Sequence, residues 1–126
     1  MRATALIGAL LAVRCGGIAP TQATTETTNQ QYALEQAHYY AKVKGIRLDA
    51  VRFSDQYPDY LAWAECSEHV IAFNRSHLEE AWIYDFIPAI AAHEVCHIYY
   101  KDNLPCGQYP KVDVEARAQA CADEML

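Results

Sequence analysis

His93-Glu94-Val95-Cys96-His97 is the stretch that decides how this chain of 126 residues is read. On a helix, residues four apart share a face. His93 and His97 can therefore aim imidazole nitrogens at one ion. Glu94 lies about 100° further round the helix, beside the position a bound water would take. Two histidines at this spacing suit a metal, and a carboxylate between them suits a proton acceptor.

Working outward, the segment around this motif reads as one helix. Asp85 can cap it, and Pro88 is tolerated in a first turn. Ala89 and Ile90 lead into the motif, which continues through Tyr99 to about Lys101. Asn103, Pro105 and Gly107 then end the helix. Upstream, Ser76 with Glu79 forms a capping-box pattern and predicts a short helix through about Tyr84. Residues 61–65 and 69–73 are two strand-like runs, joined by Cys66-Ser67-Glu68 as in a hairpin. Residues 46–53 alternate apolar and charged at first and read as a half-buried strand. Tyr57-Pro58-Asp59 marks a turn.

A first helix is expected from about Asn29. Thr28 and Gln31 offer a capping box, Leu34, Ala37 and Ala41 an apolar face, and Gly45 after Lys42 and Lys44 a C-terminal stop. A last helix is expected over 114–125, with Asp113 as its cap. The order is helix, small antiparallel sheet with a hairpin, short helix, motif helix, final helix. The fold class is α+β.

Net charge is −6, with 52% hydrophobic and 21% charged residues. These values fit one ordinary globular domain. No basic stripe is present, which argues against nucleic acid as a partner. Residues 1–23 read as a signal peptide, with Arg2 as the positive start, residues 3–13 as the apolar run, and Thr21-Gln22-Ala23 as a small-x-small cleavage site. The apolar run is too short to span a bilayer. Arg14 directly after it is atypical, and a frayed apolar helix or a start codon set too early is the other reading. Residues 24–28 then form a lead to a single domain over 29–126. The expectation is export, periplasmic or secreted, with a cytoplasmic location as the alternative. Cleavage would remove Cys15 and leave Cys66, Cys96, Cys106 and Cys121, enough for two bridges. No C-x-x-C spacing occurs, so a cysteine-based zinc knuckle is disfavoured.

A catalytic zinc takes three protein ligands and keeps one position open. No histidine follows His97, and Tyr100 stands where the longer metzincin motif needs glycine. The third ligand should therefore be an acid, from Asp102, Asp113, Glu115, Asp123 or Glu124. Glu115 is the leading candidate, because Ala116, Ala118, Ala120 and Ala122 let its helix pack closely on the motif helix. Asp113 is the runner-up. His38, His69 and His77 lack a partner at ligand spacing and read as surface or strand residues.

His93-Glu94-x-x-His97 followed by Glu115-Ala116 resembles the gluzincin type of zinc metallopeptidase, and the short order of elements is similar to minigluzincins and ImmA/IrrE-type peptidases. The resemblance covers roughly residues 46–126. It implies a hairpin edge strand packed on a pair of helices, zinc held by His93, His97 and Glu115, and Glu94 as general base. It also implies a peptide or protein substrate cleaved internally, lying extended along the edge strand. An oxyanion donor besides the metal is needed. Tyr99, Tyr100 and Tyr109 are candidates, and Tyr109 sits in the loop before the glutamate helix. Asp85 and Glu94 could orient the imidazoles from behind, but spacing does not read out these outer partners. The alternatives are a noncatalytic metal-binding module and a disulfide-stabilised interaction protein.

Overall fold

The computed structural model describes residues 27–104 and 111–126. Its helices are α1 Thr28–Lys44, α2 Ile87–Tyr99 and α3 Val112–Met125, and its strands are β1 Ala50–Ser54, β2 Ala62–Ala64 and β3 Val70–Asn74. The segment read as a signal peptide, Cys15, Cys106 and Tyr109 lie outside the described residues.

α1 begins one residue earlier than its sequence pattern suggested. Thr27 is the N-cap and forms a full capping box with Gln30. Gly45 closes the helix at φ 71°, in the left-handed region that glycine enters without a Cβ clash. Ala33, Ala37 and Ala41 form a small-residue face that is buried. That face packs against α2.

The class is α+β, and the sheet is mixed rather than antiparallel. The strand order is β1-β3-β2. β2 and β3 form the expected antiparallel pair, while β1 runs parallel to β3 with Val51 opposite Ile71 and Phe53 opposite Phe73. The reason lies in β3, whose five residues are all buried. A continuous apolar run wants the centre of a sheet. The chain between β1 and β2 therefore crosses the end of β3 and places β2 on its far side. β1 keeps exposed Arg52 between half-buried Val51 and Phe53, as an edge strand does.

Asn74 anchors this crossing. Its Nδ2 donates to the Tyr57 carbonyl (3.2 Å), and its Oδ1 accepts from the His77 N–H (3.0 Å). Asn74 thus replaces the capping box expected at Ser76, whose hydroxyl is spent on Asp55 (2.8 Å). The short helix becomes two 3-10 turns, His77–Glu79 and Ala81–Phe86. The second runs straight into α2, so Asp85 is not its cap; the N-cap position is Phe86, and the Ile87 N–H donates to Tyr84. α3 likewise starts earlier than expected, from an extended Lys111, which puts Asp113 and Glu115 together in its first turn.

The core joins Ile71 and Phe73 of the sheet, Leu78, Ile83 and Ile87 of the connecting turns, and Val95 and Cys96 of α2. Cys96 is disulfide-bonded to Cys121 of α3. Cys66 is also in a disulfide. Disulfides are compatible with an exported chain. Among the described residues no helix is long and apolar enough to cross a membrane.

Candidate metal centre

α2 carries the motif with its faces divided by chemistry. Ala91, Ala92, Val95 and Ile98 are buried as packing residues. His93, Glu94 and His97 face a cleft of about 350 Å³, whose other walls are Tyr60, Leu61, Ala62 and Trp63 from β2 and the residues before it, and Glu115 and Gln119 from α3. β2 is an edge strand, so the cleft runs along one border of the sheet.

His93, Glu94 and His97 can each offer one atom to a single metal ion, with those atoms all within 4.8 Å of one another. Glu115 enters the same space from α3. Its Oε1 lies 2.8 Å from His93 Nε2 and 3.2 Å from His97 Nε2, and the two nitrogens are 3.1 Å apart. A tetrahedral ion with bonds of about 2.0–2.1 Å has ligand-to-ligand edges of about 3.3 Å. The observed triangle is close to one face of such a site.

The outer partners of the two imidazoles decide what the inner nitrogens are. His97 Nδ1 lies 3.0 Å from Asp102 Oδ2, a carboxylate oxygen that can only accept, so Nδ1 carries the hydrogen. His93 Nδ1 lies 3.0 Å from Gln119 Oε1, and the amide nitrogen of Gln119 is turned to Asp123 (2.9 Å). Nδ1 is again the donor. In the neutral rings both Nε2 atoms are then lone-pair acceptors, and they meet the acceptor Oε1 of Glu115. Three such acceptors converging at hydrogen-bond distance repel unless a proton or a metal cation lies among them. This is the chemical ground on which the group fits a metal ion.

Glu94 stands beside this triangle and is 7% exposed. Burial raises its carboxyl well above the ordinary value, the charge of Glu115 adds to the rise, and the N–H of Ala64 on β2 partly offsets it. Its Oε1 has no hydrogen-bond partner among the described residues. A buried oxygen without a partner is costly, and this one belongs to the residue the motif marks as a proton acceptor.

The other sequence candidates fall elsewhere. Asp113 is exposed in the first turn of α3, and Asp123 and Glu124 are exposed further along it. Asp102 faces the outer nitrogen of His97 and not the inner one. Tyr99 and Tyr100 are exposed and do not line the cleft; they lie under Lys44 and Arg117. His69 binds the Arg47 carbonyl at 2.6 Å and His77 the Pro58 carbonyl at 3.0 Å. His38 is exposed on α1.

The residues at the outer nitrogens are Gln119 for His93 and Asp102 for His97, a pair that sequence spacing leaves open with Asp85 and Glu94 as possibilities. One signal was available for Gln119. Glu115, Gln119 and Asp123 recur every fourth residue and so share one face of α3. Asp102 had no periodic signal, because it lies beyond the end of α2.

No protein-family model matches the chain, and neither a curated protein nor a solved structure matches it.

Proposed function

We propose that this protein is a zinc-dependent peptidase of the gluzincin type, with His93, His97 and Glu115 as metal ligands and Glu94 as general base. The observation that carries the reading is the meeting of three acceptors, His93 Nε2, His97 Nε2 and Glu115 Oε1, within 3.2 Å of one another. Two histidines and a glutamate with one position left open are a catalytic zinc set. A zinc ion held there would polarise a peptide carbonyl and bring the pKa of a bound water toward about 7.

The chain's own residues supply the rest. Glu94 takes a proton from the attacking water and returns it to the leaving amine. Its burial makes it a stronger base than a solvated carboxylate, and the Ala64 N–H holds it in place. An extended peptide would lie along the border of β2 that faces away from β3, where backbone groups other than the Ala64 N–H would pair with any sequence. Tyr60, Leu61, Trp63 and Ile90 favour an apolar side chain next to the cleaved bond. A peptide bound this way extends past the reacting carbonyl in both directions, which suits cleavage within a chain. Tyr109, in the segment before α3, keeps its candidate role as oxyanion donor.

The test is zinc content per chain, measured by elemental mass spectrometry on the parent and on Glu115→Ala, alongside hydrolysis of a mixed peptide library. About one zinc in the parent, sharply less in the variant, and cleavage by the parent support the reading. Zinc without cleavage leaves a noncatalytic metal-binding module. A parent that takes up no zinc at neutral pH sinks the proposal and leaves a disulfide-stabilised interaction protein.

A further inference from the structure

The turn that ends α2 is built so that its first residues fold back on the helix. Lys101 sits at φ 62°, in the left-handed region. Its N–H donates to Ile98 (3.0 Å), and the Asp102 N–H donates to the His97 carbonyl (2.8 Å). This pair of bonds is a Schellman closure. It returns Asp102 to the residue five positions earlier and brings its carboxylate to the His97 ring. Asp102 is 4% exposed. A charge so deeply buried needs partners, and among the described residues it has two. Oδ2 takes the His97 Nδ1–H at 3.0 Å, and Oδ1 takes Arg117 Nη2 at 2.5 Å.

Arg117 comes from α3, two residues past Glu115, and its guanidinium stacks on Tyr100 at 4.4 Å. α3 therefore reaches His97 on both nitrogens. Glu115 meets the inner one directly, and Arg117 meets the outer one through Asp102.

We propose that Asp102, clamped by Arg117, is a positioning residue that fixes His97 as an Nε2 ligand and locks the glutamate helix to it. Metal affinity then depends on the Asp102–Arg117 pair, although neither side chain faces the point where the ligand atoms meet. The proposal rests on the reading of His93, His97 and Glu115 as the metal site.

The chemistry of a single substitution shows why. In Asp102→Asn, an amide that presents its oxygen to His97 must aim its NH2 at Arg117, donor against donor. Turned the other way, it presents NH2 to Nδ1 and moves the ring hydrogen to Nε2, where it blocks ligation. Either arrangement damages the site. Removing the guanidinium as well, in Asp102→Asn/Arg117→Gln, relieves the first conflict.

The experiment is a chelator competition for zinc on the parent, Asp102→Asn, Arg117→Gln and the double variant. The visible spectrum of the cobalt-substituted proteins reports coordination, and circular dichroism reports folding. Asp102→Asn should weaken zinc binding about 10- to 100-fold and alter the cobalt spectrum, with the fold retained. The double variant should recover part of that loss, so that the two effects do not multiply. Arg117 is half exposed, so Arg117→Gln keeps the test open if Asp102→Asn fails to fold; it should weaken zinc binding about threefold or more. A purely structural role would lower the thermal midpoint while zinc affinity and the cobalt spectrum stay at parental values, and that result overturns the proposal. If the parent binds zinc and Glu115→Ala releases it, yet both single variants bind within twofold of the parent, only the positioning role fails. If the parent binds none, the site reading fails and takes this proposal with it.

Discussion

Cys96 and Cys121 join α2 to α3 with their Cα atoms 6.1 Å apart, and the bond lies one residue from His97. The two helices that bring His93, His97 and Glu115 together are therefore covalently tied. The bridge closes a loop with a sequence separation of 25, for which chain-entropy arguments give about 3–4 kcal/mol. Replacing both cysteines in Cys96→Ala/Cys121→Ala should cost stability of that order in chemical denaturation. Zinc affinity should fall too, because α3 is then held by non-covalent contacts alone. Unchanged affinity in the double variant would mean that Arg117 and Gln119 suffice to dock α3.

In the peptidase reading, Glu94→Gln should separate turnover from binding. The amide keeps the shape but not the base, so peptide hydrolysis should drop about 10²- to 10⁴-fold while zinc content stays near that of the parent. The same change removes a buried carboxylate with an unpartnered oxygen. The metal-free variant should therefore unfold at a higher temperature than the metal-free parent. A variant with parental hydrolysis would show that the proton acceptor is another group.

Asn103 should matter to the β2 wall of the cleft rather than to the His93–His97 group. Its buried Nδ2 donates to the carbonyls of Glu65 (2.8 Å) and Glu68 (2.7 Å), in the turn between β2 and β3. Asn103→Ala should lose about 1–3 kcal/mol of stability by leaving these carbonyls short of a donor. In the peptidase reading it should also raise KM more than it lowers kcat, since β2 loses its support. Denaturation and steady-state kinetics on the same preparation check both.

Acid should weaken the crossover at Asp55 only at low pH, after carboxylates of ordinary pKa have been protonated. The hydroxyl and N–H of Ser76 both donate to the Asp55 carboxylate, and this lowers its pKa from the ordinary value. A folded value below the unfolded one means the contribution is present above the unfolded pKa, near 3.9. It is lost as pH falls through the folded value. Parent and Asp55→Asn should therefore differ in urea midpoint at pH 7 and converge in strong acid. A difference that persists there would assign the effect to shape rather than charge.

Several of these relationships were visible in the residues and several were not, for physical reasons. The His93-Glu94-x-x-His97 spacing and the alanine-rich stretch after Glu115 are local patterns, and local patterns fix which face of a helix a side chain occupies. The geometry at Glu115 follows from two such patterns meeting. The direction of β1 is not local. It depends on where residues 55–61 cross the sheet, and the hydrophobicity of β3 limits that path without specifying it. The caps at Ser76 and Asp85 failed because non-neighbouring groups, the Asn74 side chain and a preceding 3-10 turn, took over the same backbone hydrogen bonds. Asp102 was unreadable as the partner of His97 because a left-handed lysine, and not a glycine, makes the return turn.

The third candidate ligand lies on α3, downstream of the motif helix, and this has a consequence for the order of synthesis. A polypeptide emerging from its N-terminus presents His93 and His97 well before Glu115, and Cys96 well before Cys121. The paired imidazoles wait through some twenty residues of translation for the carboxylate that faces them. In the peptidase reading, a chain interrupted before α3 would carry the motif intact and be inert. On that reading, hydrolysis waits until α3 has been made and docked.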